Sequence, residues 1–204
     1  MPPSAVSQAS ERGKIMEAAY RILAENEGAA ISIAGVLSAA ELSTRAFYRH
    51  FDSKDGLLLA MFRQDADRVL AELQTAAATA ATATQALRAW IGGMLRLTGD
   101  PRRRRRALVL DSAEVHRAKG YRAERARYEA AEIAALAQIL HRGHGDGSFP
   151  LARPAADAAY IRAALHQAVS EQLTQSAAIG VAEAAERLLD FSFRALGVPA
   201  SARP

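Results

Sequence analysis

The sequence predicts an all-α protein, and three observations support this prediction. Apolar residues recur at steps of three and four through most of the 204-residue chain, which is the spacing that lines one face of a helix. No stretch keeps the strict apolar–polar alternation of a half-buried strand, and β-branched residues are few. Two glycines and two prolines fall in segment 144–154, between two of the periodic stretches, where a connection is expected.

The first two helices are predicted from their apolar spacing and their ends. The first extends from Ser10, a suitable N-cap, to Gly28, a suitable C-terminal stop. The residues before it, 1–9, are expected to form a flexible tail. A short second helix follows Ser32, whose hydroxyl can accept from free backbone N–H groups, and it ends near residue 40.

The next two helices are also predicted from capping residues. Ser43 or Thr44 can cap a third helix that ends near residue 50. The segment 52–53, an aspartate followed by a serine, can cap a fourth and longer helix, whose apolar side chains recur from Leu57 to Leu73. Two short helices between two longer ones are thus expected in the first third of the chain.

Beyond residue 73 the pattern predicts five further helices. The alanine- and threonine-rich segment 75–84 is expected to be a frayed end or a loop, and segment 144–154, with two glycines and two prolines, a connection. The predicted helices cover residues 85–98, 101–118, 121–142, 155–177 and 181–196.

Composition limits the classes of protein to consider. The absence of cysteine excludes disulfides and thiol chemistry, and no apolar run reaches the roughly 20 residues of a membrane span, so a cytoplasmic protein with no membrane partner is expected. The formal net charge is +4, yet residues 1–64 hold seven basic and seven acidic residues. Any nucleic-acid contact near the N-terminus therefore depends on local placement of charge.

The third predicted helix carries an unusual density of polar and aromatic side chains, in the stretch LSTRAFYRHF. Two short helices joined by a few residues, the second one polar, match a helix-turn-helix that places a recognition helix in the major groove of DNA. Thr44 and Arg45 would reach base edges, where an arginine fork can bond guanine O6 and N7 together. Tyr48 and His50 suit phosphate oxygens, and Lys54 lies in the first turn of the next helix, which already favours an anion.

These residues carry a specific resemblance. The stretch ISIAGVLSAAELSTRAFYRHFDSKDGLL, preceded by KIMEAAYRILAENEG, resembles the DNA-binding signature of the TetR family of transcriptional regulators. The resemblance implies a homodimer whose N-terminal domains, residues 1–53, bind a palindromic operator on double-stranded DNA. The helical C-terminal domain, residues 54–204, would bind an effector and form the dimer. The expected DNA-binding residues are Ser32, Ser43, Thr44, Arg45, Phe47, Tyr48, Arg49, His50 and Lys54.

Two positions depart from the family's usual pattern. Glu41 stands at the turn position that is usually glycine, and Leu37 stands where a small residue is usual. A non-glycine residue with positive φ costs on the order of 1 kcal/mol, and a larger residue at a helix crossing can force the axes apart. Both departures bear on the angle between the two helices and on the strength of operator binding.

The last two predicted helices suggest a dimer. Apolar residues of the final helix spread over roughly 200° of its circumference, which is wider than one core-facing stripe needs. Either this face is buried within one chain, or two helices from each of two chains form a four-helix bundle. The candidate interface residues are Ile161, Leu165, Ala168, Val169, Gln172, Leu188, Phe191 and Ala195.

The central helices hold enough aromatic and flexible apolar side chains to line a pocket, although such residues more often form a core. The candidate ligand-binding residues are Trp90, Met94, Leu97, His116, Tyr121, Tyr128 and Tyr160. They suggest a small apolar or aromatic effector.

Five arginines, 102–106, are either a second phosphate-binding patch or a solvated face, and the second reading is favoured because they point all round a helix.

The sequence thus predicts a ligand-responsive, sequence-specific DNA-binding regulator, a repressor that a small molecule releases from its operator. No enzyme motif, metal-ligand cluster or cofactor loop accompanies these features, so neither catalysis nor a cofactor is expected. The alternative is a helical dimeric module that binds a small molecule or a protein and has lost operator binding.

Overall fold

The computed structural model describes residues 5–26 and 28–199, with side chains from residue 10 onward. Within these residues the chain forms helices and no strand, which confirms the predicted all-α class. The described helices are α1 Ala5–Glu25, α2 Ile33–Ala40, α3 Thr44–Tyr48, α4 Lys54–Ala78, α5 Ala83–Gly99, α6 Pro101–Leu110, α7 Ala113–Arg117, α8 Tyr121–Gly145, α9 Pro154–Leu173 and α10 Val181–Ala195. None of them is both long and apolar enough to span a bilayer.

Local hydrogen bonds begin the helices where the sequence predicts. The Ser32 hydroxyl accepts from the Gly35 N–H at the start of α2, and the Ser43 hydroxyl accepts from the Ala46 N–H at the start of α3. The Ser53 hydroxyl accepts from the Gly56 N–H in the first turn of α4. Each bond satisfies a backbone donor that the helix itself cannot pair.

Several predicted boundaries are wrong, among them the end of helix 155–177, which the structure places at Leu173. Helix α1 begins at Ala5 rather than after Ser10, and no glycine or proline lies between these two residues to stop it. Residues 1–4 of the predicted tail lie outside the described residues. Helix α4 continues through residues 75–78, because alanine is the strongest helix former and outweighs the threonines. The predicted helix 101–118 is interrupted at 111–112, where the Asp111–Ser112 pair separates α6 from α7.

The turn between α2 and α3 contains a strained residue. Glu41 has φ 55° and ψ 43°, the left-handed conformation that its expected glycine would adopt without cost. The Glu41 N–H donates to the Ser38 carbonyl, and the Leu42 N–H donates to the Leu37 carbonyl at 3.1 Å. These two bonds form a Schellman-type ending for α2. The chain thus adopts the usual turn with an unusual side chain.

The chain divides into two compact units. The first unit comprises Met1–Asp65 and Arg105–Arg125, and the second comprises Ala66–Arg104 and Ala126–Pro204. The functional division predicted at residue 53 remains a prediction. The two units have separate apolar cores and are described separately.

The core of the first unit joins residues that are distant in the sequence. Helices α1, α2 and α3 pack against one another, and the start of α4 closes the cluster. The members from the first segment include Ile15, Leu23, Val36, Leu37, Phe47, Leu57 and Met61. Val109, Val115 and Ala118 belong to the same cluster, so the second segment completes the core around α1, α2 and α3.

The second unit is a helical assembly in which α5 packs against both α9 and α10. Its core is built from large apolar side chains that are almost completely buried, among them Trp90, Ile91, Leu136, Phe149, Ile161, Leu165 and Phe193. The connection after α8 contributes Phe149, whose ring lies 6.4 Å from that of Phe193. A predicted loop therefore supplies part of the core.

Candidate nucleic-acid interface

Helix α3 has one buried face and one exposed face. Ala46 and Phe47 are buried in the first unit's core, and Phe47 is 0% exposed. Ser43, Thr44, Arg45 and Tyr48 point outward, and Tyr48 is 55% exposed. Because the buried face fixes the rotation of the helix, the outward face presents two hydroxyl groups, a guanidinium and a phenol together.

Arg45 is the outward side chain best suited to read a base. It is exposed and makes no ion pair within the described part of the chain, so its five N–H donors are available. A guanidinium can donate two parallel hydrogen bonds to a guanine edge. Ser32 at the start of α2 is also exposed, and its hydroxyl already accepts from a backbone N–H.

Two of the predicted DNA-binding residues are placed differently from the prediction. Phe47 belongs to the core and has no surface left for a nucleic acid, because its spacing from Phe51 puts both rings inward, 5.6 Å apart. The His50 side chain is only 8% exposed, and its Nε2 lies 3.1 Å from a carboxylate oxygen of Glu11. His50 therefore supports the fold of the first unit instead of offering a free phosphate contact.

Glu11 holds the end of α3. It also accepts from the Arg49 guanidinium at 2.7 Å, so one carboxylate on α1 binds two consecutive residues that follow α3. The hydrogen bond from His50 is the largest cause that lowers the pKa of Glu11 below its ordinary value, with Arg49 acting in the same direction. Arg49 keeps about a third of its side chain exposed, which leaves it available to an additional anion.

Lys54, the first residue of α4, is engaged by a second acidic residue. Its Nζ lies 2.5 Å from Oε1 of Glu114 on α7, within the first unit. Glu114 is 5% exposed, and its second oxygen lies 3.5 Å from the Arg117 guanidinium. Burial alone would raise the pKa of Glu114, but the hydrogen bond and charge of Lys54 outweigh it and hold that pKa below its ordinary value.

Sequence reasoning missed these two carboxylates, which bind side chains predicted to contact DNA. Glu11 is 38 residues from Arg49, and Glu114 is 60 residues from Lys54. Capping and periodicity act over a few residues, so neither could indicate these pairs.

Leu37, in contrast, is buried in the first unit's core, and Glu41 has the left-handed backbone that its position suggested.

The sequence of this region is similar to that of a known protein family. Residues 15–61 match the family described as bacterial regulatory proteins, tetR family. This segment of the chain is therefore similar to the tetR family. The matched segment contains the C-terminal half of α1, all of α2 and α3, and the start of α4, so it includes the exposed α3 face and Lys54. No curated protein is similar enough in sequence to match.

Solved structures are similar in fold to most of the chain. A putative transcriptional regulator from Pseudomonas aeruginosa PAO1 is 18% identical, with a TM-score of 0.75 over 90% of each chain. FadR from Bacillus subtilis, solved with stearoyl-CoA, is 16% identical, with a TM-score of 0.74 over 89% of this chain and 97% of its own. NemR from E. coli is 18% identical, with a TM-score of 0.74 over 93% and 100%. At such identities the likeness establishes the shared fold.

The predicted ligand-binding residues are divided between the two units. His116 and Tyr121 lie in the first unit, with ring centroids 4.7 Å apart, and burial raises the pKa of Tyr121. In the second unit Trp90 lines a cleft of about 310 Å³ and Leu97 a cleft of about 320 Å³. Met94 and Tyr128 are buried. Tyr160 is 71% exposed, so this tyrosine faces solvent and does not line a pocket as predicted.

The predicted dimer residues also separate into buried and exposed sets. Ile161, Leu165 and Leu188 are buried in the second unit's core, which leaves no surface on them for a second copy, contrary to the prediction. Ala168 and Val169 pack partly against the same core, and the Gln172 amide donates to the Ile179 carbonyl. Phe191, 52% exposed, and Ala195 face outward on α10.

The arginine run 102–106 is largely bound to the protein itself. Arg103 pairs with Glu72 at 2.7 Å, and Arg104 donates to the Leu173 carbonyl within the second unit. Arg106 pairs with Glu17, and its guanidinium lies 4.3 Å from the centre of the Tyr20 ring within the first unit. These contacts give three of the five arginines a structural role that neither of the predicted readings included.

Proposed function

We propose that this protein is a sequence-specific repressor of the tetR family that binds a palindromic operator. The observation that carries the proposal is the outward face of α3, where Thr44, Arg45 and Tyr48 are exposed on a helix locked into the core by Phe47. A rigid helix that presents hydrogen-bonding groups along one edge can enter the major groove. Arg45 would read a base there, while Tyr48, Arg49 and Lys54 would bind phosphates.

The repressor acts as a homodimer. Helix α3 has five residues and can contact few base pairs, whereas two copies separated by about one turn of DNA can read two half-sites. Phe191 and Ala195 supply an exposed apolar surface on α10 that a second copy would cover. The exposure of such a large aromatic side chain supports this surface as the centre of the dimer contact.

A small apolar or aromatic effector controls the repressor by binding in the second unit. The cleft at Trp90 is bordered by Ile139 and by the polar side chains of Gln74, Gln138 and Arg142. A mostly apolar cleft with a few polar groups suits such a molecule. FadR from Bacillus subtilis, which shares this fold, was solved with stearoyl-CoA, which supports ligand binding by a chain of this architecture. Effector binding would lower the affinity for the operator through coupling between the two sites.

The test is a binding measurement with duplex DNA from upstream of the protein's own gene, made at several salt concentrations. A repressor of this kind should bind it with a log K that falls linearly with log salt, and scrambled DNA should compete poorly. If scrambled DNA competes equally, or if salt has no effect, operator binding is refuted. The alternative function, a helical dimeric module that binds small molecules or proteins, would then be the better account.

A further inference from the structure

The first two residues of α4 are held by one segment of the first unit, residues 114–119. Glu114 binds the ammonium group of Lys54 at 2.5 Å, and the Asp55 carboxylate accepts from the backbone N–H of Lys119 at 3.1 Å. Both contacts involve side chains at the N-terminal end of α4, where free N–H groups and the helix dipole favour a phosphate. The segment therefore contacts α4 at the place where the proposed function needs a DNA backbone contact.

Glu114 is an ionised group at neutral pH, and it has little freedom to move. Its carboxylate is buried on α7 and accepts from Lys54, from Arg117 and from the Ile31 backbone N–H. Lys54, in contrast, keeps about a third of its side chain exposed. The carboxylate is fixed in the protein, and the flexible lysine is the partner that can exchange one anion for another.

We propose that Glu114 is a positioning residue that competes with the DNA backbone for Lys54 and thereby limits the affinity of the repressor for its operator. An ammonium bound to a carboxylate offers a phosphate little net charge, and the two anions repel each other when both approach the same cation. The inference rests on the proposed function for its DNA contact. Because Glu114 lies on α7, a change that moves α7 would alter how strongly Lys54 is kept from the DNA phosphates.

The first experiment measures operator affinity over a salt series for the wild type, Glu114→Gln, Lys54→Gln and the double variant. Glutamine keeps the shape of the side chain but removes its charge, so Glu114→Gln should bind DNA about three- to tenfold more tightly at low salt. The slope of log K against log salt should steepen by up to about 0.9, the value for one full phosphate contact, because Glu114 withholds Lys54 only in part in the wild type. In the Lys54→Gln background, Glu114→Gln should change neither quantity.

A matched control is Glu124→Gln, which removes a carboxylate that pairs with Arg63 in the same unit. If Glu124→Gln tightens binding as much as Glu114→Gln, the gain is a general effect of net charge and the inference is wrong. It is also wrong if the gain persists in the Lys54→Gln background. Glu114→Asp, whose shorter carboxylate cannot reach Lys54 in the same way, provides a second variant in case glutamine disturbs the fold.

A readout without DNA separates the inference from the proposed function. The acylation rate of Lys54, followed by mass spectrometry in the free protein, should increase in Glu114→Gln and stay unchanged in Glu124→Gln. Suppose that Lys54 is acylated faster in Glu114→Gln but the wild type shows no salt-dependent DNA binding. This outcome would refute operator binding and would still establish that Glu114 restrains Lys54. Unchanged acylation would overturn the inference even if the wild type binds its operator.

Discussion

At the residue scale, adjacent side chains of α3 have opposite environments. Phe47 fills the core, whereas its neighbour Tyr48 is more than half exposed. The two rings meet edge to face at 5.4 Å, a favoured geometry for aromatic pairs. The buried ring therefore supports the exposed one, and the phenol of Tyr48 is held at the surface in a defined position.

The first prediction concerns the division of roles on this face. Arg45→Ala should mainly relax sequence preference at one operator position, with a loss of about 1–3 kcal/mol against the preferred base. Tyr48→Phe and Lys54→Gln should weaken binding to all sequences alike. Affinities for a set of operators with single base-pair changes distinguish the two patterns, and Arg102→Ala, an exposed arginine of the second unit, controls for loss of charge. Uniform loss from all three variants would contradict the assignment.

The second prediction concerns the dependence of stability on pH. The carboxyls of Glu11 and Glu114 have pKa values in the folded chain below the ordinary 4.5, for Glu11 chiefly through the His50 hydrogen bond. The folded state therefore binds fewer protons than the unfolded state near this pH, and stability should fall as the pH drops through about 4.5 and below. Melting temperatures measured between pH 7 and pH 3.5 test this.

Glu114→Gln provides the comparison for the pH series. The variant lacks the Glu114 carboxyl, whose pKa is lowered in the folded chain, so its melting temperature should decline less steeply on acidification than that of the wild type. Parallel curves for the two proteins would show that the Glu114 ion pair does not contribute to acid sensitivity.

At the element scale, the end of α2 allows a direct test of backbone strain. Glu41→Gly should raise the free energy of unfolding by about 1 kcal/mol, because glycine adopts the left-handed conformation without the steric penalty of a Cβ atom. Glu41→Ala keeps that atom and removes the charge, so it should give no such gain. Denaturant unfolding of both variants measures the difference, and equal effects would argue that charge matters more than conformation.

The C-terminal part of α8 provides a second test, based on packing. A Cβ atom added at Gly143 would come within 2.1 Å of the Phe149 ring, which is completely buried. Gly143→Ala should therefore destabilise the protein by roughly 1–3 kcal/mol. Gly145→Ala, two residues later in the same helix, meets no atom within 4 Å and should change stability by less than about 0.5 kcal/mol. Similar melting temperatures for the two variants would contradict this packing.

The elements that could be predicted from sequence are those that local interactions determine. Ser32 could be predicted as an N-cap, and Ser43 as one of two candidates beside Thr44, because the hydroxyl and its N–H partner are three residues apart. The same local reasoning placed Arg45 and Tyr48 on α3. It failed for the contacts of His50 and Lys54, whose carboxylate partners come from distant parts of the sequence and depend on how the helices pack.

Which apolar residues of α10 are buried within one chain could not be predicted for a related reason. The wide apolar arc of α10 was compatible with either burial in one chain or contact with a second chain. The structure buries Leu188 within the second unit and leaves Phe191 exposed. These residues are three apart and close on the helix surface, so only the neighbouring helices α5 and α9 decide which one is covered.

At the scale of the whole molecule, the exposed part of α10 leads to a prediction about assembly. The wild type should sediment as a dimer, and Phe191→Glu should shift it towards a monomer, because an unpaired carboxylate at the centre of an interface is costly. Leu108→Glu introduces the same charge at an exposed aliphatic position of the first unit and should leave the dimer intact. Analytical ultracentrifugation distinguishes these outcomes, and a monomeric wild type would contradict the assignment.

The first unit's core is shared by two stretches of sequence separated by 39 residues that belong to the second unit. A fragment that stops at residue 65 would lose Val109, Val115 and Ala118 from the cluster that surrounds Val36 and Leu57. A chimera that joins the first unit to the ligand-binding domain of another protein would therefore need both stretches. A chimera that contains only the first stretch would leave apolar core residues exposed to solvent and should misfold or aggregate.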